Sequence, residues 1–109
     1  MQTERRALNE DVFRRVNERL KELAESLRFV DPSPPEFVCE CGRETCVEPI
    51  ELTLSEYERV RARATWFVLK PGHENPTRER VVERTDRFLI VEKLGEAATI
   101  AKSLDPRQS

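Results

Sequence analysis

Three cysteines and one histidine carry the chemistry open to this chain. Cys39, Cys41 and Cys46 lie in Phe37-Val-Cys-Glu-Cys-Gly-Arg-Glu-Thr-Cys46, so every cysteine falls within eight residues. His73, the only histidine, follows Pro71-Gly72. Three thiolates and an imidazole are the donor set of a closed tetrahedral zinc site, with metal–ligand distances of about 2.0–2.3 Å. Cys39 and Cys41 are two apart, and side chains two apart on a strand leave the same face. A turn at Gly42 lets Cys46 swing back toward that pair. The Pro-Gly loop can deliver His73 as the fourth ligand, and Glu40 and Glu44 are reserve oxygen donors.

Other readings stay open. The spacing Cys-x-Cys-x4-Cys is less usual than Cys-x2-Cys, whose knuckle also supplies amide donors to sulfur. A Cys3His set can also hold an iron–sulfur cluster, although zinc selects the same residues. Without a metal, Cys39 and Cys41 are small core residues, Cys46 is incidental and His73 belongs to a surface loop. Thiol or redox chemistry is a third reading. Metal-assisted hydrolysis needs an open coordination position and a base such as Glu40, Glu44 or Glu74. A nucleophile pair of Cys46 and His73 lacks a third group to orient it. With three glycines in all, the chain has no phosphate-cradling loop. A structural site is therefore favoured over a catalytic one.

The elements that must position these residues follow from periodicity and punctuation. Residues 8 to 29 read as one amphipathic helix, with Asn9 as its cap. Its apolar positions Phe13, Val16, Leu20, Leu23, Leu27 and Val30 are spaced 3, 4, 3, 4, 3, an a/d heptad seam that is short for a free coiled coil and could pack on its own domain, on a second copy or on another protein. Asp31-Pro-Ser-Pro-Pro35 ends it, because proline cannot continue a helix. Phe37–Cys41 and Cys46–Leu52 read as strands, with Pro49 marking an edge or bulge. Thr53-Leu-Ser-Glu56 is a capping box opening a helix that runs to about Ala64. Thr65–Lys70 reads as a buried strand, and Arg80–Arg84 and Phe88–Lys93 as a hairpin joined near Thr85-Asp86-Arg87. A last helix spans Glu96–Leu104. The fold class is α+β: a long N-terminal helix (1–30), a proline-rich linker (31–36) and a small ββαβββα domain with a short antiparallel sheet (37–109).

Composition bounds the function. At 109 residues the chain is one small domain with an appendage, and 37% of it is charged for a formal net charge of −2. Neither a general nucleic-acid binder nor a membrane-surface protein is indicated. From Asp31 to Glu58 eight acids face the single base Arg43, whereas bases predominate from Arg59 to Arg87. Arg59, Arg61, Arg63, Arg78, Arg80, Arg84 and Arg87 could line one basic face for nucleic acid, although arginines interleaved with acids more often make surface ion pairs. No apolar run reaches the ~20 residues of a membrane span. The charged start at Glu4, Arg5 and Arg6 is not a signal peptide. A cytoplasmic location follows, where clustered thiols stay reduced.

The string Phe37-x-Cys39-Glu-Cys41-x4-Cys46-x3-Ile50-x-Leu52-Thr53-x2-Glu56-Tyr57-Glu58-x-Val60-Arg61 resembles a group of small uncharacterised actinobacterial proteins. So do Pro71-Gly72-His73-Glu74, Arg80-Val-Val-Glu-Arg84 and Glu92-Lys93-x-Gly95-Glu96-Ala97. The resemblance covers most of the chain. It implies a bacterial cytoplasmic origin and no known activity. Taken together, the residues point to a small zinc-stapled interaction or regulatory module. It would act as a homodimer or dock a protein partner through Phe13, Val16, Leu20, Leu23 and Leu27.

Overall fold

The structure, a computed structural model, describes residues 2–107. Its elements are α1 (Gln2–Leu27), β1 (Glu36–Val38), β2 (Pro49–Glu51), α2 (Leu54–Val60), β3 (Trp66–Leu69), β4 (Glu79–Arg84), β5 (Leu89–Lys93) and α3 (Gly95–Leu104). The chain therefore adopts the α+β class and the element order that its sequence predicts. The strands form two antiparallel sheets, a β1–β2 pair and a three-stranded sheet in the order β3–β5–β4. Phe37 sits opposite Ile50 in the first, and Val68 opposite Ile90 in the second. The β4–β5 ladder shifts register between Val81 and Glu83. As the central strand, β5 contributes a continuous buried run, Leu89, Ile90 and Val91, instead of an alternating one.

These strands share one core with Phe37, Leu52, Tyr57, Val60, Phe67 and Phe88. The Phe37 and Tyr57 rings stack with centroids 4.5 Å apart and planes 8° from parallel. The capping box forms as its spacing predicts. Thr53 Oγ1 accepts from the Glu56 amide at 3.1 Å, and Glu56 Oε1 accepts from the Thr53 amide at 2.8 Å. Thr85 N donates to Phe88 O at 2.9 Å and closes the β4–β5 hairpin.

Several boundaries differ from the sequence reading. Helix α1 ends at Leu27 and not at residue 29, and α2 ends at Val60 and not near Ala64, because Ala62 N donates to Arg59 O and Trp66 N to Arg63 O in turns that lead into β3. The first helix begins at Gln2, so Asn9 lies inside it and is not its cap. The predicted strands around the cysteines shorten to Glu36–Val38 and Pro49–Glu51, because the backbone beyond Val38 leaves β2 and turns toward β3.

Helix α1 docks on the domain through polar side chains. Ala7, Glu10, Asp11, Arg14 and Asn17 are its buried residues. Arg14, fully buried, donates to Ala64 O at 2.7 Å, Ala101 O at 2.9 Å and Asp11 Oδ1 at 3.1 Å. Its guanidinium also lies 4.6 Å from the Phe67 ring centre. Arg15 donates to Leu104 O at 2.8 Å. Ala101 and Leu104 belong to the last turn of α3, whose carbonyls have no partner within their own helix. Two arginines of α1 thus terminate α3 and complement its dipole.

Deeper in, the Lys93 ammonium is buried between Glu10 Oε2, at 2.5 Å, and the Glu79 carboxylate. Burial pushes the Glu10 carboxyl up, against the pull of Lys93 and Arg78. Farther along α1, Glu18 accepts from Tyr57 Oη at 2.8 Å and from Arg61 at 3.2 Å, and Arg61 also pairs with Asp105. Burial works against the Asp105 carboxylate, but the Arg107 amide and the Arg61 guanidinium hold its pKa below the ordinary range.

This docking turns the apolar seam outward. Val16, Leu23 and Leu27 are exposed, and Phe13 and Leu20 are only half-buried. The helix is held to its own domain by charge pairs and hydrogen bonds, which is unusual for a 26-residue amphipathic helix. Removing one partner of a buried network costs more than the network contributes net, because the remaining groups stay unpaired. Arg14→Leu should therefore destabilise the protein by about 3 kcal/mol or more in urea unfolding at constant metal. A loss below 1 kcal/mol would mean that the α1 dock does not depend on this guanidinium.

Candidate metal centre

The four chemistry-bearing residues come from three separate segments. Val38 ends β1, and the next three residues turn away from β2. Cys39 N still donates to Glu48 O at 2.9 Å, but Glu40 N donates to Val68 O of β3, also at 2.9 Å. The chain thus bridges from one sheet to the other across Cys39 and Cys41. Gly42 then reverses it at φ +81. A Cβ at this position would lie 2.6 Å from Glu10 Cγ and 3.0 Å from Arg6 O, so only glycine lets the turn press against α1. A second turn, with Cys46 N donating to Arg43 O at 3.1 Å, brings Cys46 back. The loop after β3 supplies His73, whose amide donates to Lys70 O at 3.0 Å.

Together these segments bring Cys39, Cys41, Cys46 and His73 to one point. One donor atom from each lies within 4.8 Å of all the others. His73 Nδ1 is 3.5 Å from both Cys39 Sγ and Cys46 Sγ. In a tetrahedral shell of the ordinary zinc radii, neighbouring donors stand about 3.5–3.8 Å apart. The thiols are free and buried, and His73 is half-buried. This Cys3His cluster can hold a metal ion.

Backbone amides also favour the thiolate at each sulfur. Lys70 N donates to Cys39 Sγ at 3.2 Å. The Arg43 amide lowers the pKa of Cys41, and the Glu48 amide that of Cys46. Those last two amides are two residues beyond their cysteines, the local arrangement that a Cys-x2-Cys knuckle would provide. The unusual spacing therefore does not deprive the sulfurs of amide donors. Amides aimed at sulfur stabilise the thiolate, the form that binds metal.

In the metal-free chain the three thiols compete for charge. The neighbouring Cys39 thiol holds Cys41 down to about 4. The same neighbour, with burial, pushes Cys39 up, and burial pushes Cys46 up. One thiolate is thus favoured and the next two are opposed, the situation that a divalent cation relieves.

The reserve oxygen donors take no part. Glu40 is fully buried and turned toward α1, where its carboxylate accepts from Asn17 Nδ2 at 2.7 Å and from Val68 N at 3.0 Å. Burial pushes its pKa up against both bonds. Glu44 is exposed and lies outside the cluster. Glu74 accepts from the Gly72 amide at 3.0 Å and pairs with Arg84.

Three supporting residues on α1 escaped the sequence reading. The Asn17 side chain donates to Val38 O at 2.9 Å and accepts from Val38 N at 2.8 Å, so it pairs with β1 as a neighbouring strand would. Arg6 Nε donates to Cys41 O at 2.9 Å, and Asn9 Nδ2 to Gly42 O at 3.3 Å. Asparagine in a helix interior is a weak helix former, and that was the available signal for Asn17.

The arginines considered for nucleic acid are mostly committed within the chain. Arg59 pairs with Glu83, Arg61 with Glu18 and Asp105, Arg78 with Glu10, Arg80 with Glu92, Arg84 with Glu74 and Arg87 with Glu56. The Arg63 guanidinium lies 5.6 Å from the Trp66 ring centre. No helix among the described residues is long and apolar enough to cross a membrane. No known family model, no curated protein and no solved structure matches the chain.

The role of His73 as a ligand can be read from substitution. His73→Cys should retain metal, since sulfur replaces nitrogen in a tetrahedral zinc shell. His73→Ala should weaken metal affinity by roughly tenfold or more in a competition titration against a chelator. Equal affinities in wild type and His73→Ala would remove the imidazole from the site.

Proposed function

We propose that this protein is a small zinc-stapled interaction module in which Cys39, Cys41, Cys46 and His73 hold one structural zinc ion. The observation that carries the reading is the closed donor set: three buried sulfurs and one imidazole nitrogen, with one donor atom from each within 4.8 Å of the others and the nitrogen 3.5 Å from two of the sulfurs. Zinc favours thiolate and imidazole donors, and four protein ligands leave no position for substrate or activated water. A catalytic thiol is disfavoured by the same geometry, because His73 Nδ1 stands equally far from Cys39 and Cys46 and singles out neither as a nucleophile.

The module's working surface, in this reading, is the outward face of α1. Val16, Leu23 and Leu27 of the apolar seam are left in water while the polar face does the docking. The arginine-rich alternative loses support from the acidic partners that occupy most of those side chains. Zinc ties the segment that α1 rests on, so metal loading maintains the platform that presents the face.

Protein purified without added metal should contain about one zinc per chain. Its removal by a chelator should lower the melting temperature, because metal-binding free energy in a small site is folding free energy. Acid should release the metal as protons compete for the thiolates. Absence of any transition metal, combined with unchanged melting in chelator, would overturn the proposal.

A further inference from the structure

A helix projection separates two faces of α1. At 3.6 residues per turn, Leu8, Val12, Val16, Leu23 and Leu27 fall within an arc of about 100°. Glu10, Asp11, Arg14 and Asn17, which hold the helix down, centre on the opposite side. All five apolar residues are exposed, by 39% at Val16 to 56% at Leu23. The stripe continues past the helix to Phe29 and Val30, exposed by 88% and 82%. Alongside it runs a groove of about 440 Å³, lined by Leu20, Ala24, Leu27, Pro32, Pro35 and Leu54 among others.

The exposed area of these seven apolar residues is on the order of 800 Å², what each partner contributes to a standard stable interface. Monomers ordinarily leave smaller apolar patches in water.

We infer that this stripe is covered by the α1 helix of a second copy, packed antiparallel about a two-fold axis near residues 17 and 18. The inference rests on the interaction-module reading and names its partner. Three features select this occupant. First, the stripe lies on the face of α1 opposite the residues that dock it, so two copies can join helix to helix with both domains on the outside. Second, its spacing is palindromic. Leu8 and Val12 are four apart, as are Leu23 and Leu27, so an antiparallel pair sets Leu8 against Leu27 of the partner subunit and Val12 against Leu23 of the partner subunit. Such a self-complementary patch is what an isologous interface requires. Third, charge opposes the parallel alternative. Arg5 projects near the centre of the stripe and Arg19 at its edge. A parallel pair would set each against its own copy, whereas the antiparallel register sets Arg19 beside Val16 of the partner subunit. Antiparallel helices also align their dipoles favourably.

Light scattering coupled to size exclusion, together with sedimentation equilibrium, tests this on the full-length zinc-loaded protein. Wild type should have twice the chain mass. Val12→Glu and Leu23→Lys, both at exposed positions, should each weaken dimerisation on the order of 100-fold, since each places two charges in the apolar seam. The double variant Val12→Glu/Leu23→Lys should restore the dimer, because the antiparallel register brings the new charges together twice. All four proteins should keep the same circular dichroism and zinc content. A monomeric wild type at high concentration overturns the inference, as does a monomer that binds anionic vesicles through this face. Dimers indifferent to both single substitutions overturn it, and failure of the double variant to rescue overturns the antiparallel register. A zinc-loaded monomer contradicts the pairing alone, and a metal-free dimer contradicts the zinc reading alone.

Discussion

Three cysteine sulfurs and an imidazole nitrogen within 4.8 Å of one another form an arrangement that carries a cost unless something offsets it. One thiolate is favoured there by a neighbouring thiol and an amide, but a second or third meets like charge in a desolvated space. A bound cation reverses that balance and makes the same crowding favourable. The local backbone is irregular where the sulfurs converge. The chain leaves β2 after Val38, crosses to β3 at Glu40, reverses at Gly42 and turns again before Cys46.

Such an irregular segment has backbone groups that no ladder pairs, and buried groups of this kind need partners. Helix α1 supplies them. Asn17 serves both groups of Val38, Arg6 serves the Cys41 carbonyl and Asn9 the Gly42 carbonyl. On the same side, Arg14 and Arg15 complete the end of α3. A helix recruited for its donors presents its polar face inward and leaves the apolar face over. The polar dock on the segment that carries the cluster and the outward apolar stripe are thus two faces of one helix.

The donor set was legible in the sequence because residue type and spacing are direct chemical statements. Cysteines two apart, a glycine before the third and a histidine in a Pro-Gly loop name the four donors, although the same residues also admitted redox and purely structural readings. The Thr53–Glu56 capping box was legible for the same reason, since its reciprocal bonds are local. The direction of α1 was not. Periodicity identifies a helix with two faces, and the usual assumption that the apolar one is buried rests on the domain having apolar surface to offer. Here the domain offers orphan carbonyls and charged partners instead, Lys93 and Arg78 for Glu10 and Arg61 and Arg107 for Glu18. Asn9 looked like a cap because it precedes the apolar run, yet Arg5, Arg6, Ala7 and Leu8 are good helix formers and carry the helix back to Gln2. Glu40, between two cysteines, resembled a spare ligand. Its burial against Asn17 depends on a helix more than twenty residues away, which no local pattern reveals.

X-ray absorption at the metal edge of the purified protein tests the central claim most directly, because it reports the donor atoms and not merely the presence of metal. The account requires a zinc spectrum fitted by three sulfurs at about 2.3 Å and one nitrogen at about 2.0 Å. A shell of nitrogen and oxygen alone, or one with a coordinated water in place of a sulfur, would contradict it.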